Sequence, residues 1–409
     1  MTSVLDWTGR CLEVEVGPVA HGGHCVARHE GRVVFVRHAL PGEVVLAEVT
    51  EDPGKGFCRA DAVEVRAAAP GRVEPPCPLA AMERGRDRCG GCDFQHASAE
   101  TQRQLKASVV TEQLQRIAGV EREVEVRALP GDLLRWRTRV RLSVDDEGRP
   151  GFRAHRSHRV VPIEDCPITS RAALTGLLGQ EWQPRTELEV AADATGTAHV
   201  AAREQRRGRR APAATQQVRG SGDAEEVAIG RRWSVSAAGF WQVHFAAADA
   251  FAEVVRRMAR VPAGGVAWDL YGGVGLFAAV LAEQAGESGR VLVVESARGA
   301  VADAERNLAD LPQVRCRAGT VEKVVRNPRL ADPDVVVLDP PRKGAGREVV
   351  DAVTARRPAR IVHVACDPAA LARDVGLFAE RGYRLVELEA FDAFPMTHHV
   401  ECIASLERV

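Results

Sequence analysis

Between Leu12 and Val65, apolar and polar residues alternate in short β-branched runs, LEVEV, RVVFV, EVVLAEV and ADAVEV, broken at Gly17-Pro18, Gly22-Gly23, Pro41-Gly42 and Pro53-Gly54. Period-two runs punctuated by turn-forming pairs predict a small antiparallel β-barrel. Residues 68–78 are rich in Pro and small side chains and read as a linker. Over 98–117 the spacing changes. Leu105, Val109, Leu114 and Ile117 recur at helical intervals among polar residues, which predicts an amphipathic helix. Strand-like runs return over 125–200. Within them RWRTRVRL, Arg135–Leu142, carries Arg at every second position, and a strand would set all four on one face. Such a face is either a solvated exterior or a strip that tracks phosphates. Residues 203–219, REQRRGRRAPAATQQVR, read as an exposed basic loop. From Val266 onward VAWDL, RVLVVE, DVVVLD and RIVHVAC are each followed by a loop and a helical stretch, the alternation of a parallel sheet wrapped by helices.

These segments predict an α/β chain of three parts. A small OB-like β-barrel occupies 1–68 and a central β-rich domain with a cysteine cluster occupies 69–228. A Rossmann-like domain fills 229–409, and the helix at 98–118 is a candidate to pack on it. The length of 409 residues excludes a single ordinary domain. With 45% hydrophobic and 27% charged residues, a disordered or fibrous chain is excluded as well. A net charge of −1 argues neither for nor against a polyanionic partner. The longest nearly uncharged run, 13 residues at Leu270–Ala282, falls short of a membrane span, and the first residues lack the apolar core of a signal peptide. A cytoplasmic protein without a membrane partner is expected. In that reducing compartment the ten cysteines read as ligands, nucleophiles or buried fillers rather than as disulfides.

In a parallel sheet the ligand sits at the carboxyl ends of the strands, and several chemistry-bearing residues fall there. The first strand runs into Asp269-Leu270-Tyr271-Gly272-Gly273-Val274-Gly275, whose glycines let the backbone approach a ligand. The second ends at Glu295, where a carboxylate accepts from both hydroxyls of a ribose. Ala278 stands where a dinucleotide fold has its third glycine, which shifts the preference toward S-adenosylmethionine. A third strand precedes Asp339-Pro340-Pro341-Arg342-Lys343-Gly344. The loop has neither an aromatic residue after the prolines nor a cysteine, which disfavours amino methylation of bases and C5 methylation of cytosine. Cys366 closes the strand at 361–365 and is either a filler or a side chain facing the crevice. Glu401 begins the last strand as an edge charge or as a buried base. Elsewhere Cys77, Cys89, Cys92 and Cys166 form a second constellation, and four thiolates suit zinc or an iron–sulfur cluster.

The ordered set FWQVH (240–244), DLYGGVG (269–275), DPPRKG (339–344), ACDP with LARD (365–374) and FPMTHHVE (394–401) resembles the RNA 5-methyluridine methyltransferases. The N-terminal barrel, with VFVRHALPGE at 34–43, looks like a TRAM domain, the RNA-binding module of ribosomal RNA members of that family. The resemblance implies Cys366 as nucleophile and Glu401 as base. It implies Gln242, Tyr271, Glu295 and Asp339 as contacts to S-adenosyl-L-methionine, and a 4Fe–4S cluster on Cys77, Cys89, Cys92 and Cys166. It also implies a monomer acting on ribosomal RNA, with transfer RNA as the alternative substrate. A noncatalytic RNA-binding or ribosome-assembly protein that kept the fold is the rival reading. Four departures from the family pattern stand out: Gly272 for Cys, Asp367 for Asn, His244 for Asn, and a long Cys77–Cys89 interval. An extra carboxylate at 367 is expected to raise the Cys366 thiol pKa unless it is paired.

Overall fold

The structure, a computed structural model, describes residues 6–204 and 215–409. The N-terminal alternation yields β1 (Cys11–Glu15), β2 (Cys25–His29), β3 (Arg32–Arg37), β4 (Val44–Glu51) and β5 (Phe57–Ala67), in the order β1-β4-β5-β3-β2. Trp7, Val34, Val36, Val45, Ala47 and Val49 form the core of its inner face. Beyond β1 the chain bonds β2 through Gly17 N–H to Val26 O (2.8 Å) and Val26 N–H to Pro18 O (2.9 Å), bending the sheet toward closure. One expectation fails: β3 and β5 pair in parallel, because the chain passes through β4 between them. The segment 68–78 is also not a free linker. Arg72 grips Glu43 at 2.5 and 2.7 Å, and Val73 N–H bonds His96 O at 2.9 Å.

Helix α1 (Ala99–Gln113) is capped by Ser98, whose side chain accepts from Thr101 N–H, and it continues through a wider turn to Gly119. Its Leu105 and Val109 join the barrel core, while Val110 and Leu114 join the core of the C-terminal sheet. One helix thus fastens both parts. Ile117, expected on the apolar face, is exposed. After β6 (Val126–Ala128) comes an antiparallel sheet of β7 (Arg139–Val144), β8 (Pro150–Arg153), β9 (Val160–Pro162), β10 (Thr186–Ala192), β11 (Ala198–Glu204) and β12 (Thr215–Arg219), with the short α2 (Arg171–Leu174) beside it.

The alternating arginines do not form one face. β7 begins only at Arg139, so the first two lie ahead of the strand. Arg135 pairs with Asp165 (2.6 Å), Arg137 lines the cysteine cavity, Arg139 is buried on Glu226 (3.0 Å) and Arg141 meets Glu189 (2.7 Å). The basic segment at 203–219 is strand at both described ends, and residues 205–214 lie outside the described residues.

The C-terminal part comprises the hairpin β13 (Asp223–Ala228) and β14 (Arg231–Ser236), then α3 (Ala247–Ala259), β15 (Val266–Leu270), α4 (Leu276–Ala285), β16 (Arg290–Glu295), α5 (Arg298–Asn307), β17 (Val314–Ala318), α6 (Val321–Val325), β18 (Val335–Leu338), α7 (Gly346–Thr354), β19 (Arg360–Ala365), α8 (Pro368–Ala379), β20 (Tyr383–Asp392) and β21 (Glu401–Arg408). Its sheet runs β17-β16-β15-β18-β19-β21-β20-β6, with β21 antiparallel to both neighbours. All four residues of β18, VVVL, are buried, as a strand covered on both faces requires. Strand β6 and helix α1, from the 69–228 segment, are built into this unit. The hairpin is too, bonding α5 through Ser234 N–H to Asn307 Oδ1 and Ser236 N–H to Asp303 Oδ2, both 2.9 Å. The central segment therefore does not form one separate body. Among the described residues no helix is long and apolar enough to cross a membrane.

Burial sets the acid response of this fold. It holds His24, His96, His155 and His244 down to about 4, His399 to about 3, and His38 well below the ordinary value. Unfolding frees these groups to take protons near pH 6.5. Between about pH 4 and 6.5 the unfolded chain then binds more protons, and stability falls as pH drops through that window. Burial raises Asp269, Asp339, Glu401 and Glu226, and the bond to Asp367 raises His21, which favours the folded state in acid, but these five are fewer than the six histidines. A Tm that falls steadily from pH 7 to 4.5 in calorimetry is expected; a rise would mean the carboxyls dominate.

Candidate active site

Strand order reverses at β15, so the carboxyl ends of β15 and β18 open a crevice. Asp269 is fully buried there. Its Oδ2 accepts Ala278 N–H at 2.9 Å, its Oδ1 has no partner, and burial pushes its pKa up to about 7. Tyr271 (φ 62°) and Gly273 (φ 52°) turn the chain through left-handed conformations into the N-terminus of α4. Glu295 accepts from Gly273 N–H (3.3 Å) and Ala297 N–H (2.7 Å), which ties the glycine turn to the end of β16. A glycine turn, an acid after the next strand and an orphaned buried carboxylate oxygen fit the nucleoside and amino-acid ends of S-adenosylmethionine. Gln242 is half-buried on the segment entering α3, next to Trp241, which packs in one core cluster with Val274 and Leu276.

The departure at position 272 has a steric cause. A β-carbon there would lie 2.7 Å from Val293 Cγ1 and 2.9 Å from Asp269 Oδ2, so any other residue must push aside the Val293 side chain and the acid. We expect Gly272→Cys to cost about 1–3 kcal/mol of stability and to weaken cofactor affinity; calorimetry showing unchanged Tm and Kd would contradict this.

Asp339 follows β18, and burial raises its pKa to about 7. The rest of its loop is held from α8. Asp374 accepts Ala345 N–H (2.7 Å) and Gly346 N–H (3.0 Å) and is itself fixed by His363 (2.9 Å). The LARD stretch is thus a buttress for the DPPRKG loop. Between β19 and β21, Ala365 pairs with Cys402, so the next residues of the antiparallel register, Cys366 and Glu401, face each other. Glu401 is buried and Cys366 half-exposed. Burial, then Glu401 and Asp339, push the thiol up to about 12, while Arg342 opposes them. Burial and Asp339 likewise hold Glu401 well above the ordinary range.

Cys366 opens into a cavity walled by Arg342, His399, Lys106 of α1 and, unexpectedly, His21–Gly23 of the barrel. His21 Nε2 lies 2.9 Å from Asp367 Oδ2, and Asp367 Oδ1 accepts Ala370 N–H at 2.8 Å to cap α8. The extra carboxylate beside the nucleophile is therefore paired. Gly23 is pressed on the other side of the cavity, where a β-carbon would meet His398 Cβ at 2.7 Å.

The FPMTHH loop that leads into Glu401 is clamped from two segments. Asp93 binds His398 Nδ1 (2.6 Å) and Phe94 N–H bonds Met396 O (2.9 Å); from α1, Gln102 Oε1 accepts Met396 N–H (2.7 Å). Lys106 Nζ donates to Asp392 Oδ1 (2.5 Å) and Phe394 O (3.1 Å). His21, Asp93, Gln102 and Lys106 escaped the sequence reading. The signal for two of them was present, since Gln102 and Lys106 are one helical turn apart beside Leu105 and Val109. Periodicity alone assigns such residues to the solvated face.

The four cysteines 77, 89, 92 and 166 line one cavity together with Arg137 and Gln95. Burial raises the thiols of Cys77, Cys89 and Cys92, whereas Arg137, itself buried beside them, is an adjacent positive charge. Among the described residues no three Cys, His, Asp or Glu side chains form a group able to hold a single metal ion. Of the five cysteines outside both constellations, Cys25, Cys58 and Cys402 are buried, Cys316 is half-buried and Cys11 is exposed.

A doubly wound sheet with a glycine turn after its first strand, an acid after its second and a polar crevice between defines the chain as an S-adenosylmethionine-dependent methyltransferase. The description tRNA (uracil-5-)-methyltransferase matches residues 329–409, and the TRAM domain matches residues 7–63. An RNA methyltransferase of Streptomyces avermitilis is 45% identical, over 98% of both chains. One of Corynebacterium efficiens is 40% identical, over 98% of this chain and 95% of the relative. The fold is that of the Pyrococcus abyssi tRNA (uracil-54, C5)-methyltransferase solved with S-adenosyl-L-homocysteine, with TM-score 0.71, 21% identity, and 97% of this chain and 100% of that one covered. The chain belongs to the RNA (uracil-5-)-methyltransferase family and carries a TRAM domain at its N-terminal end.

Proposed function

We propose that the protein forms 5-methyluridine in ribosomal RNA with Cys366 as nucleophile and Glu401 as base. The observation that carries this reading is the register of β19 on β21, which sets a thiol that lines the cavity opposite a buried carboxyl. Uracil C5 is a weak nucleophile, and adding a sulfur at C6 turns it into the α-carbon of an enolate. S-adenosylmethionine, held by Tyr271, Glu295, Asp339 and Gln242, supplies an electrophilic methyl group. Cys366 Sγ bonds C6 and its proton leaves to solvent; after methylation Glu401 takes the C5 proton and the C6–S bond breaks. Glu401 returns its proton to the thiolate, so one proton is released per methyl transferred. The barrel loop closes one side of the cavity, which suits a single nucleotide swung out of its stack. Cys77, Cys89, Cys92 and Cys166 are proposed to hold a 4Fe–4S cluster, supported by their convergence on one cavity beside a buried guanidinium.

The test is methyl-labelled cofactor with separated ribosomal and transfer RNA, followed by nucleoside analysis. Label is expected in 5-methyluridine from ribosomal RNA. Label confined to adenine or cytosine would refute the chemistry, and label confined to transfer RNA would refute the substrate.

A further inference from the structure

The turn that leads into β2 touches both arms of the proposed chemistry. Ala20 N–H bonds His24 O at 2.7 Å and Gly23 N–H bonds Ala20 O at 3.2 Å, so the chain reverses tightly, and His21, Gly22 and Gly23 at its tip form part of the wall of the Cys366 cavity. On one side His21 Nε2 lies 2.9 Å from Oδ2 of Asp367, the residue after Cys366. On the other, Gly23 has φ 79° and presses on the FPMTHH loop that leads into Glu401; a β-carbon there would meet His398 Cβ at 2.7 Å and Asp93 Cβ at 3.6 Å. One short piece of the barrel thus bridges the arm that carries the thiol and the arm that carries the carboxyl.

Asp367 uses its two oxygens in two directions. Oδ1 accepts Ala370 N–H at 2.8 Å and starts α8, while Oδ2 meets the barrel. A carboxylate held at both oxygens cannot swing about its side chain, and the backbone it stands on also carries Cys366. We infer that His21 is a positioning residue for the methyl transfer: by gripping Asp367 it fixes the Cys366 turn and holds the barrel wall against the loop that carries the base. Attack on C6 needs the sulfur within a narrow range of distance and angle, so a small drift of that turn costs rate. The barrel then takes part in the reaction itself. The Asp367 bond raises the His21 pKa above its ordinary value, against burial and against Arg373 of α8 and Arg116 of the extension of α1, which lower it. At the cavity rim, with the side chains 39% and 25% exposed, such a pair adds little to stability, which separates positioning from folding. The inference rests on the uracil-C5 reading above, since it needs Cys366 as the nucleophile.

The experiment uses the full chain and ribosomal RNA, isolated from cells lacking the protein, in which uridine carries tritium at C5. Tritium release on methylation is followed with saturating S-adenosylmethionine. His21→Ala should lower kcat about tenfold, with KM for RNA within about threefold and Tm unchanged. His21→Gln, whose amide N–H can reach the same carboxylate, should recover most of that loss. Asp367→Ala should lose more, because α8 also loses its cap, and adding His21→Ala to it should lower kcat no further. The bond is read without turnover by nuclear magnetic resonance: His21 should titrate above its ordinary value in the wild type and lower in Asp367→Ala. Wild-type kcat in His21→Ala, a Gln variant as slow as the Ala variant, a loss carried by KM alone, losses that multiply in the double variant, or a His21 titration indifferent to Asp367 would each overturn the role of His21. Absence of tritium release from the wild-type protein would instead overturn the uracil-C5 reading beneath it.

Discussion

Replacing Cys366 with alanine should reduce methyl transfer by on the order of 10⁵–10⁶-fold, the scale seen when an enzyme loses its nucleophile. The step at risk is the one C5 cannot make alone. Without a sulfur at C6 there is no enolate, and binding energy does not substitute for it. The variant should fold and bind cofactor as before, because Cys366 is only half-buried at a strand end and removing one sulfur leaves little cavity. Equal Tm and equal S-adenosylmethionine affinity, with no label in RNA, is the expected result. Normal turnover in Cys366→Ala would remove the proposed nucleophile outright.

Glu401→Gln should give the opposite kind of failure, in which the protein becomes stuck on its substrate. Glu401 is among the charges that raise the Cys366 thiol, so a neutral amide makes the thiolate easier to form. The same substitution removes the acceptor for the C5 proton. Addition and methylation proceed, elimination stalls, and a covalent protein–RNA adduct accumulates while turnover falls about 10²–10⁴-fold. The fold should tolerate the change, because glutamine has the shape of glutamate and carries no charge at a site where burial disfavours one. Denaturing gels after incubation with RNA and cofactor would show a shifted band that mass spectrometry assigns to a methylated adduct. Turnover near wild type and no adduct would show that another group takes the proton.

The order of elements in the C-terminal half was legible because it is written in local periodicity. Runs such as VVVL and RIVHVA between helical stretches lead to a parallel sheet, and Asp269, Glu295, Asp339 and Cys366 fall at or just past strand ends by position alone. Glu401 opposite Cys366 needed more. It required knowing that β21 inserts between β19 and β20 and runs against both. No residue of the last strand signals that choice, which depends on the edge already formed by β19.

By itself the sequence determined the N-terminal strands, the glycine turn and the strand ends, since each is set by residue type and short-range spacing. Only the tertiary structure decided that the arginines of RWRTRVRL go to four different partners and that β3 pairs with β5 in parallel. It alone brought Lys106 to Asp392, 286 positions away, and His21 to Asp367, 346 positions away. Side-chain period reports which face an element buries against something. What that something is depends on how separately folded surfaces meet, and the free energy of that meeting is shared among residues too far apart in the chain to leave a local pattern.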